Sequence, residues 1–317
     1  MEQHQSSTQV AGIDVGKHRL DVALHGSDDE IRLDNTPAGW ADLLAWLRAR
    51  HVARVGLEAT GGYERAVRAS LEAAGLAVVV HQPIEVRLFA RLRRLRAKTD
   101  RLDARLIAAA TAQVETVKAA QDPRLPALAE HLSAYEQVSD QAAQLKTFRE
   151  SLTLADLVTP IQAQIRALAQ LKARLLAVIL HRIKAEPDLL ERFRLLLSLP
   201  GVGPLVAASL VIRMPELGGL HRGQAAALVG VAPFACESGQ SKGLRRIAGG
   251  RARPRRLLYL AALSAKRCDP GLKAFAEGLQ ARGKAAKVIT VAVMRKLIEA
   301  ANLVLQRQQP WSPSPQH

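Results

Sequence analysis

Cysteine, aromatic residues and acidic charge are all scarce in this sequence. Its two cysteines, Cys236 and Cys268, form no CxxC pair. That excludes a zinc site or a disulfide framework and fits a reducing compartment. Aromatics make up 3% of residues, too few for a module that reads bases on aromatic platforms, so nucleic-acid contact is expected to rely mainly on phosphates and shape. No run of about 18 uncharged apolar residues occurs, and no membrane-spanning helix is expected. Met1–Gln9 is polar, with neither the basic start nor the apolar block of a secretory signal, and the reading is a cytoplasmic protein.

What is present in excess is positive charge. Lys and Arg number 45 against 29 Asp and Glu, a net charge of +16, and the usual compensation for such self-repulsion is a polyanionic partner. At 317 residues the chain is long for one domain of about 150 residues, and two are expected. An apolar fraction of 48% is that of an ordinary globular protein.

Strands are expected at Val10–Asp14, Leu20–Leu24 and near Glu30–Leu33, in an antiparallel meander. Thr36-Pro37 caps a helix. Ala53–Leu57 is a short strand ending at Glu58, a helix from about Gly62 stops at Gly75, and Leu76–Val80 is a further apolar strand. This alternation predicts a partly parallel sheet covered on both faces. From Ile84 to about Ala119 the pattern is helical and basic, with Arg87, Arg91, Arg93, Arg94, Arg96 and Lys98 ahead of Asp100. Two long amphipathic helices follow, carrying Leu128, Leu132 and Tyr135, then Ile165, Leu168 and Ile179, and punctuated at Thr159-Pro160. They either project or pair with another subunit, or pack on their own domain. The fold class is therefore α/β followed by α, with boundaries at 8–122, 123–190 for the helical coil, 191–306, and a disordered tail over 307–317.

Four carboxylates stand out by position. Asp14 and Glu58 each end an apolar strand, and Asp100 and Asp103 lie three apart on one helix face. Converged into one cluster they would repel strongly without cations, and hard divalent ions with oxygen ligands resolve that repulsion. Two such ions about 4 Å apart suit phosphodiester displacement. Each acid also has a plain reading, as a helix-dipole partner, a turn residue or an arginine's mate. Leu199-Pro-Gly-Val-Gly203 reads as a helix-hairpin-helix turn in which Gly201 and Gly203 let backbone N–H groups approach a phosphate. Its alternative is an ordinary interhelical turn.

Between Ser238 and Cys268 lie nine basic residues and no acid, among them Lys242, Arg245, Arg246, Arg251, Arg253, Arg255 and Arg256. A phosphate-rich ligand explains them most simply. Ser238 lies in this Gly-rich, electropositive stretch where a hydroxyl can attack a phosphate, with Ser241 as its rival. A serine in such a loop is also a common turn former.

Six short stretches in order resemble one family: Gly12-Ile-Asp-Val-Gly-Lys17, Leu57-Glu-Ala-Thr-Gly-Gly-Tyr63, Lys98-Thr-Asp-Arg-Leu-Asp-Ala104, Leu199-Pro-Gly-Val-Gly203, Glu237-Ser-Gly239 and Arg256-Leu-Leu-Tyr-Leu-Ala-Ala262. Over nearly its whole length the chain resembles the DEDD-type insertion-sequence transposases related to the Piv DNA invertase, a family that includes bridge-RNA-guided recombinases. The resemblance implies a RuvC-like, RNase H-type N-terminal domain and a mostly helical C-terminal transposase domain joined by a long helical coil. It implies Asp14, Glu58, Asp100 and Asp103 as a tetrad holding Mg²⁺, and Ser238 as the nucleophile of a covalent phosphoserine link to DNA. It further implies donor and target DNA, a structured guide (bridge) RNA, and a homo-oligomer, dimer or tetramer, with a composite site between subunits. Two other readings of the residues remain: a RuvC-like nuclease or Holliday-junction resolvase using metal-activated water, and a non-catalytic helix-hairpin-helix DNA-binding protein.

Overall fold

The computed structural model describes residues 9–93, 100–115, 122–234, 237–238, 241–242 and 246–312. Arg94, Arg96, Lys98 and Arg245 lie outside these residues. The chain divides into two compact units, residues 1–123 and 124–317.

The first unit runs β1 (Gln9–Val15), β2 (Arg19–Leu24), β3 (Glu30–Asp34), α1 (Pro37–Ala49), β4 (Val52–Glu58), α2 (Glu64–Ala73), β5 (Ala77–His81), α3 (Pro83–Leu92) and α4 (Asp100–Ala112). Its five strands lie in the order β3-β2-β1-β4-β5. The β1-β2-β3 meander is antiparallel, whereas β4 pairs with β1, and β5 with β4, in parallel. Thr36 accepts from the Gly39 N–H and Pro37 supplies a preset φ, so α1 starts where the capping pattern predicts.

The two faces of the sheet are sorted by strand alternation. Ala11, Ile13, Val15, Val55 and Leu57 pack with Leu43 and Leu47 of α1 and Val67 and Leu71 of α2. The opposite face carries α4, and there β1 and β4 present glycines. A Cβ on Gly12 would overlap the backbone of Ala104 and Ala108, and one on Gly56 would overlap the Thr111 hydroxyl. Helix and sheet thus approach closely at two register partners, backbone to backbone at Gly12 and with the Thr111 and Ile107 side chains against the strand at Gly56. The helical pattern expected from Ile84 to about Ala119 is carried, among the described residues, by α3 and α4.

The second unit is mostly helix: α5 (Arg124–Glu150), α6 (Ala155–Ala185), α7 (Pro187–Leu197), α8 (Pro204–Arg213), α9 (Arg222–Val229), then the short strands β6 (Pro233–Phe234), β7 (Glu237–Ser238), β8 (Ser241–Lys242) and β9 (Arg246–Ile247), and finally α10 (Ala252–Cys268), α11 (Pro270–Ala281) and α12 (Ala286–Arg307). Its core centres on α8, whose residues from Val206 to Ile212 are all buried. The long pair α5 and α6 is a hairpin rooted in that core through Leu125, Leu128, Leu132, Ile179 and Ile183. The break between them falls at 151–154 rather than at Thr159-Pro160. Pro160 lies in the second turn of α6, where its missing N–H forfeits only one helical bond.

The tail expected to be disordered departs from that expectation as far as Ser312. Helix α12 continues to Arg307, Trp311 packs on the core, and the Trp311 N–H donates to Ser198 Oγ at 2.7 Å.

Buried Asn302 on α12 ties down the loop before α9. Its Oδ1 accepts from the Gly218 and Leu220 N–H groups at 2.8 and 3.3 Å, and its Nδ2 donates to the Leu220 carbonyl at 2.7 Å. Asn302→Leu strands all three backbone groups away from water, and the expected loss is about 3 kcal/mol. Urea unfolding followed by helical circular dichroism, which this unit dominates, checks it; an unchanged midpoint would show that water reaches the loop.

Candidate active site

Strand register assembles a row of polar side chains across the carboxyl-terminal edge of β1 and β4. Asp14 lies two residues beyond Gly12, and Glu58 two beyond Gly56, so both project to the face covered by α4. They are the next residues along the parallel pair after Ile13 and Leu57, which are partners. On one side Asp14 pairs with Asp21, and Asp21 with Arg32; on the other, Glu58 pairs with His81. The sheet thereby presents Arg32, Asp21, Asp14, Glu58 and His81 in strand order, three acids flanked by two basic groups. Asp14 and Glu58 are half-buried.

Each end of the row is held. Asp21, 8% exposed, accepts from Arg32 Nε at 2.7 Å. His81 is buried, and its Nε2 lies 2.8 Å from Thr111 Oγ1 on α4. Thr111 donates its own hydroxyl proton to the Ile107 carbonyl at 2.7 Å, so its oxygen must accept and His81 is the Nε2–H tautomer. Burial lowers the His81 pKa, with Glu85 pulling weakly the other way. The neutral ring therefore bolts α4 to β5 beside Glu58.

Helix α4 carries the other two predicted acids. Half-buried Asp103 directly precedes Ala104, the residue that meets Gly12, and Asp100 occupies the first position of the helix. The Asp100 side chain lies outside the described residues. Among those residues no group of three or more His, Cys, Asp or Glu stands close enough to hold a metal ion. The oxygen donors that the described atoms place on neighbouring strands are the two carboxylates of Asp14 and Glu58. That chemistry suits Mg²⁺ rather than a soft metal.

The loops beyond the two strands are tied to each other. Asn35 Nδ2 donates to the Gly16 carbonyl at 3.0 Å and to the Tyr63 carbonyl at 3.4 Å, while its Oδ1 accepts from Trp40 Nε1 at 2.8 Å. Glu64 gathers the loop from the other end, accepting from the N–H groups of Thr60 and Gly62 and from the Thr60 hydroxyl. Burial pushes Glu64 upward, but these backbone and hydroxyl donors outweigh it and hold the carboxyl below its ordinary value.

In the second unit, the two candidate serines are register partners. Ser238 on β7 faces Ser241 on β8, and Glu237 faces Lys242. The predicted phosphate-binding arginines fall into two groups. Arg87, Arg91 and Arg93 on or next to α3 are exposed, as is Arg246. Those around the start of α10 are already engaged. Arg251 donates to Glu216 at 2.8 Å, and Arg255 to the Gly249 carbonyl at 2.6 Å. Arg253 meets Asp140 at 3.5 Å and Arg256 meets it at 2.8 Å. Glu136, beside them, is pushed above the usual carboxylate range by burial, against the pull of Arg213 and Arg253.

The turn from α7 to α8 also gains a packing reason. Gly201 has φ +73°, and a Cβ there would overlap the Ala261 carbonyl and Ala265 N–H of α10. Only Gly203 stands in open space. The sequence reading overlooked Asp21, His81, Thr111 and Asn35. The first two were visible only as alternation partners of Asp14 and Glu58, and the last two carry no local signal.

Residues 11–155 match a family of transposases of the DEDD, IS110 type, and residues 193–277 match the transposase family IS116/IS110/IS902. Both stretches thus match transposase models of IS110 type. The first of these transposase matches spans Asp14, Glu58, Asp100 and Asp103, and the second spans Ser238. The chain is 25% identical over 319 residues to the pilin gene-inverting protein of Moraxella bovis, covering 96% of this chain and 98% of that one. The pilin gene-inverting protein of Moraxella lacunata matches equally, at 25% over the same length. Among solved structures, the T. thermophilus RuvC in complex with Holliday junction substrate overlaps 35% of this chain and 98% of its own at 19% identity, with a TM-score of 0.28. At that score the overlap adds nothing to the reading of the fold. Among the described residues no helix is long and apolar enough to cross a membrane.

Proposed function

We propose that this protein is a site-specific DNA recombinase that mobilises an insertion element through a covalent phosphoserine–DNA intermediate. The observation that carries the reading is the adjacency of Asp14 and Glu58 on one face of the sheet beneath α4, within a transposase match. Similarity along nearly the full chain to proteins named for inverting a gene supports rejoining as well as cutting.

Asp14, Glu58, Asp100 and Asp103 would hold Mg²⁺, which when bound supplies Lewis-acid polarisation of the scissile phosphate. The chain's own groups do the rest. The carboxylates would fix the position of the ion at the strand ends, and Ser238 Oγ would bond to phosphorus as the P–O bond to the leaving strand breaks. The serine proton passes to solvent and the leaving oxygen takes one up. Rejoining reverses both transfers, so the phosphodiester is conserved. The exposed arginines of α3 and Arg246 would hold nucleic-acid backbone. The helix-hairpin-helix role of α7 and α8, a bridge RNA guide, and a homo-oligomer with a composite site complete the proposal on the strength of the motif resemblance.

Ser238→Ala should abolish the covalent protein–DNA adduct on a supercoiled donor plasmid and cut strand transfer by at least about a thousandfold, with Ser241→Ala close to the native rate. Denaturing gels and peptide mapping of the adduct check it. A Ser238→Ala protein that still nicks DNA at full rate would favour a water-using nuclease instead.

A further inference from the structure

The loop after β4 carries an exposed aromatic side chain at the edge of the candidate active site. In a chain of 3% aromatics, Tyr63 and Phe148 are the exposed aromatic residues among those described. Tyr63 is 49% exposed, five residues beyond Glu58. Its backbone is anchored over the end of β1, because the same Asn35 Nδ2 holds the carbonyls of Tyr63 and of Gly16, two residues beyond Asp14. Glu64 fixes the loop's other side through Thr60 and Gly62. Between these anchors Gly61 has φ +76° and open space where a side chain would stand, so a strand can pass close to the backbone. A rigid base, an open approach and an uncovered ring are the parts of a stacking platform.

We propose that Tyr63 stacks on a nucleobase of the DNA strand being cleaved, next to the scissile phosphate. Phosphate contacts place a strand without touching its bases, and an aromatic ring on a loop whose backbone is anchored beside the strand ends would hold the base next to the phosphate that lies there. The inference rests on the recombinase reading for the identity of the strand. The rigid loop and exposed ring stand without it.

Two measurements on the full-length protein test it. The first is quenching of 2-aminopurine in a single-stranded oligodeoxynucleotide without divalent metal; the second is strand cleavage on a supercoiled donor plasmid with Mg²⁺. Tyr63→Ala should lose the quenching and reduce kcat/KM for cleavage about ten- to hundredfold, as expected for one lost base–aromatic stack. Tyr63→Phe and Tyr63→Trp should retain both, and the salt dependence of DNA binding should stay native, since no cation is removed. Quenching and cleavage both unchanged in Tyr63→Ala would overturn the proposal. So would equal loss of cleavage in Tyr63→Phe, which assigns the role to the hydroxyl, or quenching by the same oligomer in RNA but not in DNA. If quenching depends on Tyr63 but even the native protein cuts no DNA, the subsite stands and the recombinase reading falls.

Discussion

Asp14→Asn and Glu58→Gln should each reduce Mg²⁺-dependent strand cleavage by at least about a thousandfold, while leaving the fold intact. Glu58 ends β4 and Asp14 is the penultimate residue of β1, and both are half-buried, so an amide of the same shape fits each site. Neither belongs to the apolar set that joins the sheet to α1 and α2. The expected change in unfolding free energy is within about 1 kcal/mol. Nicking of a supercoiled plasmid, with a urea titration of the same preparations, separates chemistry from stability. A variant that retains more than a tenth of native cleavage would remove that residue from the reacting centre and, with it, the ground for the four-carboxylate reading.

Gly12→Ala should be the most damaging small substitution in the first unit. Its new Cβ meets main chain, the Ala104 carbonyl and the Ala108 amide, and neither can turn aside as a side chain does. Either α4 lifts from β1 or the strand bends, at a cost of about 3 kcal/mol or more. Gly56→Ala differs in kind because its first clash is with the Thr111 hydroxyl. Adding Thr111→Ala should therefore recover part of the loss at Gly56 and none at Gly12. Chemical denaturation of the four variants measures this. Cleavage should also fall in any Gly12 variant that still folds, because α4 bears Asp100 and Asp103. A Gly12→Ala protein as stable as the native one would mean that the helix does not rest on the sheet as described.

Much of this architecture is legible in the sequence. Alternation in Val10–Asp14 and Leu20–Leu24, the Thr36-Pro37 cap and the stop at Gly75 locate the meander, α1 and the end of α2, because each is a local signal with a local cause. The positions of Asp14 and Glu58 at strand ends were readable for the same reason. Their shared face was not, since it depends on the parallel register of strands far apart in the chain. Nor was the use of Gly12 and Gly56, which resemble flexible points and are instead places where α4 presses on the sheet, through main chain at Gly12 and through Thr111 at Gly56. Charge misled in another way. Nine cations without an acid between them read as a free basic surface, yet Glu136, Asp140 and Glu216 come to three of them, Arg251, Arg253 and Arg256, from elsewhere in the second unit. Composition counts charges but does not pair them.

The order of elements along the chain gives the α4 contact a further meaning. Helix α4 is the last element of the first unit, and the glycine face it covers is formed by strands that precede it. All five strands precede residue 100 in the chain, and the proposed carboxylate set would stay incomplete until Asp103 had joined them and the helix had closed over Gly12 and Gly56. On the proposed reading, the element that closes this unit is also the one that would complete its metal site.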